Sequence, residues 1–474
     1  MKLLLVMPSS GTSLSNVTPN NYKDLNIGHY PPLGLMYVAG YLEKNSSHHV
    51  EMLDVALEGL DYGGLEEEIK KRVPDAVGIY TTCFTLYNAY EVAKCTKSIN
   101  SDIIVMLGGP HVDVYPKESV SLPAVDYLVL GEGEITVKEL LDAHEKHQDP
   151  SNIAGIAYRR NGERHITAHR DLHHSLDELP FPARHLLPYK KYHSLIGKSE
   201  ISTTMMASRG CPSGCNFCFL QYGRTIRMRS PKNVCDEIEH CVNMGIREFF
   251  FFDENFTINR KKVLALCDEI KNRGLKVYFD IRSRVNTVDE EVLQRLKDAG
   301  CERIQFGVES GTQEILKAMN KRITLEQVER AFRAAKKVGL TTYADFMIGY
   351  PGEDLDQIKR TIDFAIELDP DFVQFGVTSL FPKTKIYFDA LEKGFLKTDV
   401  WGEMSSNPVE DFLPPLASET FSREELEAMQ RLAYRRFYLR PSYMVKRLLK
   451  VNSFTQFFRQ AKAGYHVLSG SISN

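Results

Sequence analysis

Apolar residues in the first 150 positions come in short runs separated by amphipathic stretches. Residues 2–7, 76–82, 103–109 and 127–131 are nearly continuous apolar runs, each closed by Gly, Pro or Thr. Runs of this length predict strands of a parallel sheet that is covered on both faces. Residues 49–55 alternate like a further strand, and 34–42 and 65–73 have helical spacing. The β/α alternation predicts an α/β fold with a doubly wound, Rossmann-like sheet. Ligands of such sheets bind beyond the carboxyl ends of the strands. Those ends are Met7-Pro8, Thr81-Thr82, Gly108-Gly109-Pro110-His111 and Gly131-Glu132-Gly133-Glu134.

Residues 151–200 read differently. A small hairpin is expected across Asn161-Gly162, a dipeptide suited to a tight two-residue turn. Pro180-Phe181-Pro182 then favours extended chain, so 151–200 is expected to be a linker. Apolar runs at 203–209, 248–253, 276–282, 303–309, 342–348 and 372–377 alternate with helical segments such as 293–299 and 325–338. Six such units predict a partial (β/α)6 barrel, whose active face is the carboxyl end of its strands. From about 400 onward no strand pattern appears, and helical segments at 422–440 and 443–450 are broken at Pro441. The expected division is 1–150 for the first domain, 201–395 for the barrel and 396–474 for a helical C-terminal region.

Charge narrows the choice of partners. The net charge of −3 over 474 residues sets up no field that calls for nucleic acid. The first apolar run is too short for a signal peptide, and no run reaches the roughly 18 residues needed to cross a bilayer. A cytoplasmic location is therefore expected. The region 431–474 holds nine Lys or Arg and no Asp or Glu, interleaved with Phe437, Tyr438, Tyr443, Met444, Phe454, Phe457 and Phe458. A basic amphipathic helix of this kind suits peripheral contact with an anionic membrane. It could instead pack its apolar side on the barrel.

The strongest chemical signal is Cys211-Pro212-Ser213-Gly214-Cys215-Asn216-Phe217-Cys218, directly after a predicted strand. Cytosolic cysteines rarely form a disulfide framework, and three within eight residues point to metal. A four-iron cluster usually takes four cysteines, so three leave one iron open to a ligand, as catalytic metal sites require. A zinc site would need Cys235 or His240 as fourth ligand, a spacing that matches no common zinc pattern. Cys83 follows a strand and could lie near a ligand. Cys95, Cys235, Cys241, Cys267 and Cys301 lie on predicted helices or helix ends, where cysteine behaves as a small hydrophobe.

The Cys-x3-Cys-x2-Cys spacing, with Phe217 before the last cysteine, resembles the radical S-adenosylmethionine (SAM) superfamily over residues 200–390. The resemblance implies a 4Fe-4S cluster on Cys211, Cys215 and Cys218 that reductively cleaves SAM to a 5′-deoxyadenosyl radical. It places Asp253 and Glu254 near the SAM amino group, Arg282, with Arg284 beside it, near the carboxylate, Glu309 as the acidic residue of the fourth strand, and 349–353 near the adenine. A preceding doubly wound domain resembles the cobalamin-binding fusion family, through Tyr30-Pro31-Pro32-Leu33-Gly34-Leu35, Gly108-Gly109-Pro110-His111 and Asp126 followed by Gly131-Glu132-Gly133-Glu134. That implies cobalamin contacts from Thr81, Thr82, Gly108, Gly109, Pro110, Gly131 and Glu132. Many cobalamin proteins carry Asp-x-His-x-x-Gly after the first strand, whereas here the loop is Met7-Pro8-Ser9-Ser10-Gly11-Thr12-Ser13. No histidine from this loop is therefore expected below cobalt.

Two cofactors in adjacent domains suit methylation of an unactivated carbon, which cannot attack SAM directly. The substrate would be a small molecule or a lipid, and a reductant such as flavodoxin or ferredoxin would supply electrons. An anaerobic oxidative cyclase, like the one acting on magnesium-porphyrin esters, shares the domain order. A methylthiotransferase would need a cysteine triad in its N-terminal domain, where this chain has only Cys83 and Cys95. The non-enzymatic alternative is a cobalamin-binding sensor with a structural cluster.

Overall fold

Short buried β-runs and capped amphipathic helices assemble into two units in the computed structural model, which describes residues 1–9, 29–194, 196–220 and 222–449. The first unit comprises described residues 1–9, 29–192 and 398–413. Its sheet contains β1 (Lys2–Met7), β2 (His49–Asp54), β3 (Ala76–Tyr80), β4 (Ile104–Gly108), β5 (Tyr127–Val129), β6 (Ile156–Arg160) and β7 (Glu163–Ile166). The order is β2-β1-β3-β4-β5-β6-β7, with the first five strands parallel. Leu4, Val6, Val77, Val105, Leu107 and Leu128 are fully buried, because helices such as Leu33–Asn45 and Leu86–Ile99 cover the sheet. Strand order reverses between β1 and β3, and ligand crevices of such sheets lie at that switch point.

Residues 151–192 belong to this unit and do not form the expected linker. The expected hairpin is present, with Asn161 at φ 53° and Gly162 at φ 83°, the paired positive values of a tight hairpin turn. It continues the sheet, since β6 pairs antiparallel with β5. Without it β5 would present unpaired backbone groups along an open edge. The proline-containing segment then packs on helix Leu33–Asn45. Ala183 N donates to Met36 O at 2.9 Å, and a Cβ on Gly40 would lie 2.3 Å from Phe181 O. Glycine at 40 is therefore required for this close approach.

The second unit contains the remaining described residues. Its sheet comprises β8 (Ser202–Met205), β11 (Glu248–Phe251), β12 (Tyr278–Ser283), β13 (Cys301–Glu309), β14 (Thr341–Ile348) and β15 (Phe372–Val377), all parallel and in sequential order. This is the expected arrangement of a six-stranded partial barrel. The first predicted strand is split: after β8, residues of β9 (Ser208–Arg209) pair antiparallel with β10 (Arg227–Met228). Helices on the outside start at side chains that accept a backbone N–H, namely Ser230, Asn259, Asp289, Thr324 and Asp354. Such caps satisfy donors that a first turn leaves open. At the amino end of the strands, Arg303 pairs with Asp280 and, at 3.4 Å, with Glu248. This end of a barrel serves stability.

The sheet is not closed by pairing, so β15 has a free edge that a helix covers. Helix Arg423–Tyr438 runs along it, opposite in direction. Tyr434 Oη accepts from Phe375 N and donates to Phe375 O, both at 3.0 Å. Tyr438 Oη does the same at Val373, at 3.0 and 2.9 Å. Gln430 Nε2 donates to Phe375 O (2.6 Å), and Tyr443 Oη to Asp371 O (2.8 Å). The basic side chains of this region are tied to the barrel as well. Arg436 pairs with Asp363 (2.8 Å), and Arg440 and Lys446 pair with Asp369 (3.2 and 2.9 Å). Phe437 and Tyr443 are buried. These contacts pack the described part of the stretch on the barrel, the arrangement expected as the alternative to membrane contact, while Lys450, Phe454, Phe457, Phe458, Arg459 and Lys462 lie outside the described residues. No helix among the described residues is long and apolar enough to cross a membrane.

Replacing both tyrosines, Tyr434→Phe with Tyr438→Phe, removes the side-chain partners of Phe375 N, Val373 N and Val373 O and leaves Phe375 O to Gln430. Each substitution is expected to cost about 1–3 kcal/mol, read as a lower denaturant midpoint at unchanged slope. An unchanged midpoint in the double variant contradicts the edge-capping role.

Candidate functional site

The three clustered cysteines sit in the loop that leaves β9. Cys211 is buried, Cys215 half-buried and Cys218 exposed. Gly210 adopts φ 95°, and a Cβ there would lie 2.3 Å from Thr225 O, so only glycine lets the loop pass the backbone ahead of β10. The loop is fixed from outside by residues 318–320. Asn216 N donates to Met319 O (2.9 Å), Asn216 Nδ2 to Ala318 O (2.8 Å) and Asn320 Nδ2 to Gly214 O (2.7 Å). Arg284 Nη1 donates to Cys215 Sγ at 3.3 Å. Arg284 thus serves the cysteine loop, although its place after the third barrel strand pointed to a carboxylate partner.

The donor set fits a cluster better than a single ion. Two sulfurs on one zinc lie at most about 4.6 Å apart, twice the ~2.3 Å bond. Among the described residues the three cysteine sulfurs do not form a group lying wholly within 4.8 Å. No disulfide uses them either. Cys211, Cys215 and Cys218 are therefore the residues that could hold three corners of a 4Fe-4S cluster.

Around the loop, the ends of the barrel strands carry charge. Lys321 Nζ donates to Glu309 Oε1 at 2.6 Å, with both side chains nearly buried. Glu309 stands at φ 73° beside a register shift between β13 and β14. Gly307 makes room for the pair, since a Cβ there would lie 2.4 Å from Glu309 Oε1 and 2.8 Å from Lys321 Nζ. The same ammonium lies 5.8 Å from the ring centre of Phe217, inside the cysteine loop. Arg282 is held between Phe250 and Phe252, at 5.0 and 5.4 Å from their ring centres. Its Nε donates to Gln305 Oε1 (3.2 Å), while Gln305 Nε2 donates to both oxygens of Asp345 (3.0 and 2.8 Å). Withdrawal from water, reinforced by the nearby Glu309 charge, raises the Asp345 carboxyl to about 7.

Asp253 behaves otherwise than its motif suggested. Its oxygens accept from Ser208 Oγ (2.5 Å) and Ala207 N (3.0 Å), and it is buried. Burial lifts its carboxyl to about 6. The residue braces the β8–β9 junction and is not open to a ligand. Glu254 is half-buried, accepts from Gly210 N (3.2 Å), and so lies beside the cysteine loop; burial raises its carboxyl too. Glu353 accepts from Gly349 N and Tyr350 N (2.7 and 3.2 Å), while its second oxygen is buried without a partner. Burial pushes it up to about 7. Lys321, Gln305 and Asp345 were not singled out by sequence reasoning. Gln305 and Asp345 are polar breaks at alternate positions of apolar runs, a signal that strand parity carries. Lys321 follows a six-residue helix, Gln313–Ala318, and no local pattern marks it.

In the first unit, Thr81 and Thr82 follow β3 at the switch point. Thr81 is fully buried, with Oγ1 donating to Ile79 O (3.3 Å), and offers no surface to a corrin. Thr82 is half-buried and caps the next turn, accepting from Thr85 N (3.2 Å). Gly109, at φ 118°, is needed internally, since a Cβ would lie 2.7 Å from Thr81 O. A Cβ on Gly108 would make only ordinary contact, 3.6 Å from Val129. Pro110 is half-buried next to it, and Gly131, exposed at φ 74°, donates to Asp113 Oδ1 (2.6 Å). Glu132 accepts from His173 N at 3.3 Å. His111 is fully buried, its ring nitrogens 3.4 Å from Cys83 Sγ and 3.0 Å from Ser405 Oγ. Burial holds it neutral, down to about 3, and both nitrogens are engaged. Pro110, Gly131 and Glu132 therefore remain reachable for cobalamin at these strand ends, along with Thr82 in part.

Two outcomes test this geometry. Lys321→Met strands the Glu309 charge and is expected to cost about 3–5 kcal/mol in denaturant unfolding, with most of it recovered by adding Glu309→Gln. An equal loss in both variants contradicts the pairing. Glu353 is tested by pH. Its folded pKa, about 7, lies above the ordinary 4.5, so the folded state binds the proton more tightly and stability falls as pH rises across that window. Glu353→Gln is expected to flatten the fall between pH 4.5 and 7, and an unaltered slope contradicts it.

Comparison with known proteins agrees with this division. Residues 205–365 match the model described as "Radical SAM superfamily", and residues 28–141 match "B12 binding domain". An uncharacterised methyltransferase of Pyrococcus horikoshii is 35% identical over 96% of each chain. The anaerobic magnesium-protoporphyrin IX monomethyl ester cyclase of Rubrivivax gelatinosus is 30% identical over 88% of this chain and 75% of that one. Among solved structures, the cobalamin-dependent SAM radical enzyme OxsB, with aqua-cobalamin and SAM bound, superimposes with a TM-score of 0.69 at 17% identity, over 99% of this chain and 72% of that chain. The chain belongs to the radical SAM enzymes that carry a B12-binding domain, a family of methyltransferases and cyclases.

Proposed function

We propose that this enzyme methylates an unactivated carbon of a small polar molecule. The observation that supports methylation is the similarity to a methyltransferase over nearly the whole of both chains. When bound, the cluster and SAM supply a radical that abstracts a substrate hydrogen, and cobalamin supplies a methyl group. In this reading Cys211, Cys215 and Cys218 ligate three irons and leave the fourth for SAM, while Arg284 steadies the Cys215 sulfur. Glu254, beside Gly210, is the acidic group placed to meet the SAM amino group. Glu309 is neutralised by Lys321, so the pair adds no net charge at the strand ends. Pro110, Gly131, Glu132 and Thr82 form the cobalamin side of the first unit.

The polar character of the substrate follows from the barrel interior. Arg282 and Asp345 project from β12 and β14 and are joined through Gln305. Leaving such groups against a hydrocarbon would remove their remaining hydration without replacing it. A sterol-like or fatty substrate is therefore disfavoured at this level of the barrel. An oxidative cyclase reading is kept alive by the 30% identity to the magnesium-protoporphyrin ester cyclase.

Turnover separates the two. Methylation is expected to yield S-adenosylhomocysteine and 5′-deoxyadenosine in about equal amounts, counted by mass spectrometry, because one SAM gives the methyl group and another the radical. Substrate deuterated at the target carbon should pass deuterium into 5′-deoxyadenosine. Finding 5′-deoxyadenosine alone, with a cyclised product, overturns methylation. Changing all three of Cys211, Cys215 and Cys218 to Ala should abolish the visible absorbance of the anaerobically reconstituted protein. Retention of the full spectrum would refute the ligand set.

A further inference from the structure

Side chains alternate between the two faces of each barrel strand. On the outward face of β12 to β15, residues such as Ile281, Phe306, Phe346 and Phe375 are buried. The inward face of the carboxyl halves is different. Arg282, Gln305, Asp345, Met347 and Gln374 are only half-buried there. A Cβ on Gly376, the next inward position of β15, would meet nothing nearer than 3.8 Å. The barrel keeps open space at this level.

Three polar side chains beside that space are short of partners. Among the described residues, Asp345 accepts from Gln305 Nε2 alone and forms no ion pair, although a carboxylate offers about four acceptor positions. Tyr343, two positions earlier on the same face, is 9% exposed, and its Oη is buried with no hydrogen-bond partner. Its ring stacks with that of Phe372, the centres 6.0 Å apart. Gln374 stands beside Asp345 in the register of β14 with β15, and its amide bonds to no described residue. Buried polar groups ordinarily find partners, so three shortfalls at one place ask for a ligand.

The kind of ligand follows from what is missing. The cations of this region are committed: Lys321 pairs with Glu309, and Arg282 is linked to Asp345 only through the Gln305 amide. A carboxylate withdrawn from water needs a paired charge. An ammonium brings that charge and several donors with no acceptor. The unused positions here include acceptors, on Asp345, on the Gln374 carbonyl and on the Tyr343 hydroxyl. A ligand hydroxyl would bring a donor without the charge, and a ligand carboxylate would be repelled by Asp345.

We propose that Asp345, with Tyr343 and Gln374 beside it, forms a subsite that takes a protonated amine of the substrate. The proposal rests on the reading of the barrel interior as the substrate site and deepens it, from a polar molecule to one that carries a primary amine. Arg282 and Gln305 then act as positioning residues, holding the Asp345 carboxylate toward the open space.

The test uses the anaerobically reconstituted full chain and three probes of equal length, n-butylammonium, 1-butanol and butyrate, each titrated by saturation-transfer NMR. Wild type is expected to bind butylammonium about tenfold more tightly than either other probe, the margin of one charge-assisted hydrogen bond. Asp345→Asn, which keeps size and shape, should remove that preference. Gln374→Leu and Tyr343→Phe should each weaken butylammonium several-fold and leave 1-butanol unchanged. Cluster absorbance and the denaturant midpoint of every variant report whether the fold is kept. If Asp345→Asn fails to fold, the other two variants decide, and unchanged butylammonium affinity in both overturns the proposal. A wild-type preference for 1-butanol or butyrate overturns it as well, as does equal butylammonium binding by wild type and folded Asp345→Asn. The methylation reading stands or falls separately, on the ratio of S-adenosylhomocysteine to 5′-deoxyadenosine. An equal ratio without amine preference removes only the subsite, and amine preference lost in Asp345→Asn supports the subsite even where that ratio excludes methylation.

Discussion

The buried pair between Lys321 and Glu309 is the contact on which the candidate site depends. Its carboxylate comes from the end of β13, at a backbone angle that an L residue seldom adopts. Its ammonium comes from the segment that holds the cysteine loop. Around the pair, Gly307 supplies space, Phe217 supplies an aromatic face, and Lys321 O accepts from Arg284, which in turn touches Cys215. A strand end, a helix-to-helix connection and the metal loop are thereby held in one register. An ion pair at this depth is not chosen for net stability, since apolar side chains of similar size often do as well. What it adds here is position, as neither partner can move without leaving a charge unpaired in a site of low polarity.

The polar chain inside the barrel does related work by a different means. Gln305 can satisfy Asp345 only by turning its amide nitrogen toward the carboxylate. Its oxygen must then face Arg282. One amide orientation therefore links a carboxylate on β14 to a guanidinium on β12, and Phe250 and Phe252 hold the guanidinium from the other strand neighbour. Rigid placement of a few polar groups among aromatic rings is how small-ligand sites fix orientation.

Much of this architecture could be read in advance. Apolar runs and their β/α alternation gave both parallel sheets, and the Asn161-Gly162 turn appeared where its chemistry predicted. The triad was legible because its spacing is local. What failed was long-range. Residues 151–192 looked like a linker because nothing local shows that β5 lacks a partner that β6 provides. Asp253 looked like a ligand-binding acid because a charged residue after a strand usually faces solvent, yet Ser208 and Ala207 come from a strand split that no local pattern revealed. Thr81 and Gly109 follow β3 and β4, at strand ends that the apolar runs predicted, and there they pack on each other. In the basic C-terminal stretch, Arg436, Arg440 and Lys446 have acidic partners, Asp363 and Asp369, that lie some seventy positions earlier in the chain, which no local pattern shows.

The tyrosines along β15 set a limit on how this chain can change in length. Four helical residues advance about 6.0 Å, and two strand residues advance about 6.6 Å. Tyr434 and Tyr438 are four apart and meet Phe375 and Val373, two apart, so helix and strand nearly keep step. The small mismatch accumulates, and the next contact, Tyr443 to Asp371, comes only after a five-residue step and from the helix that begins at Pro441. The interruption at Pro441 thus works like a vernier that brings the two periods back together. A single inserted residue between 434 and 438 would turn the later side chains by about 100° off the edge, whereas an insertion of a whole turn would lengthen the seam. Drift in this part of the sequence is therefore confined to substitutions and to steps that preserve the helical phase.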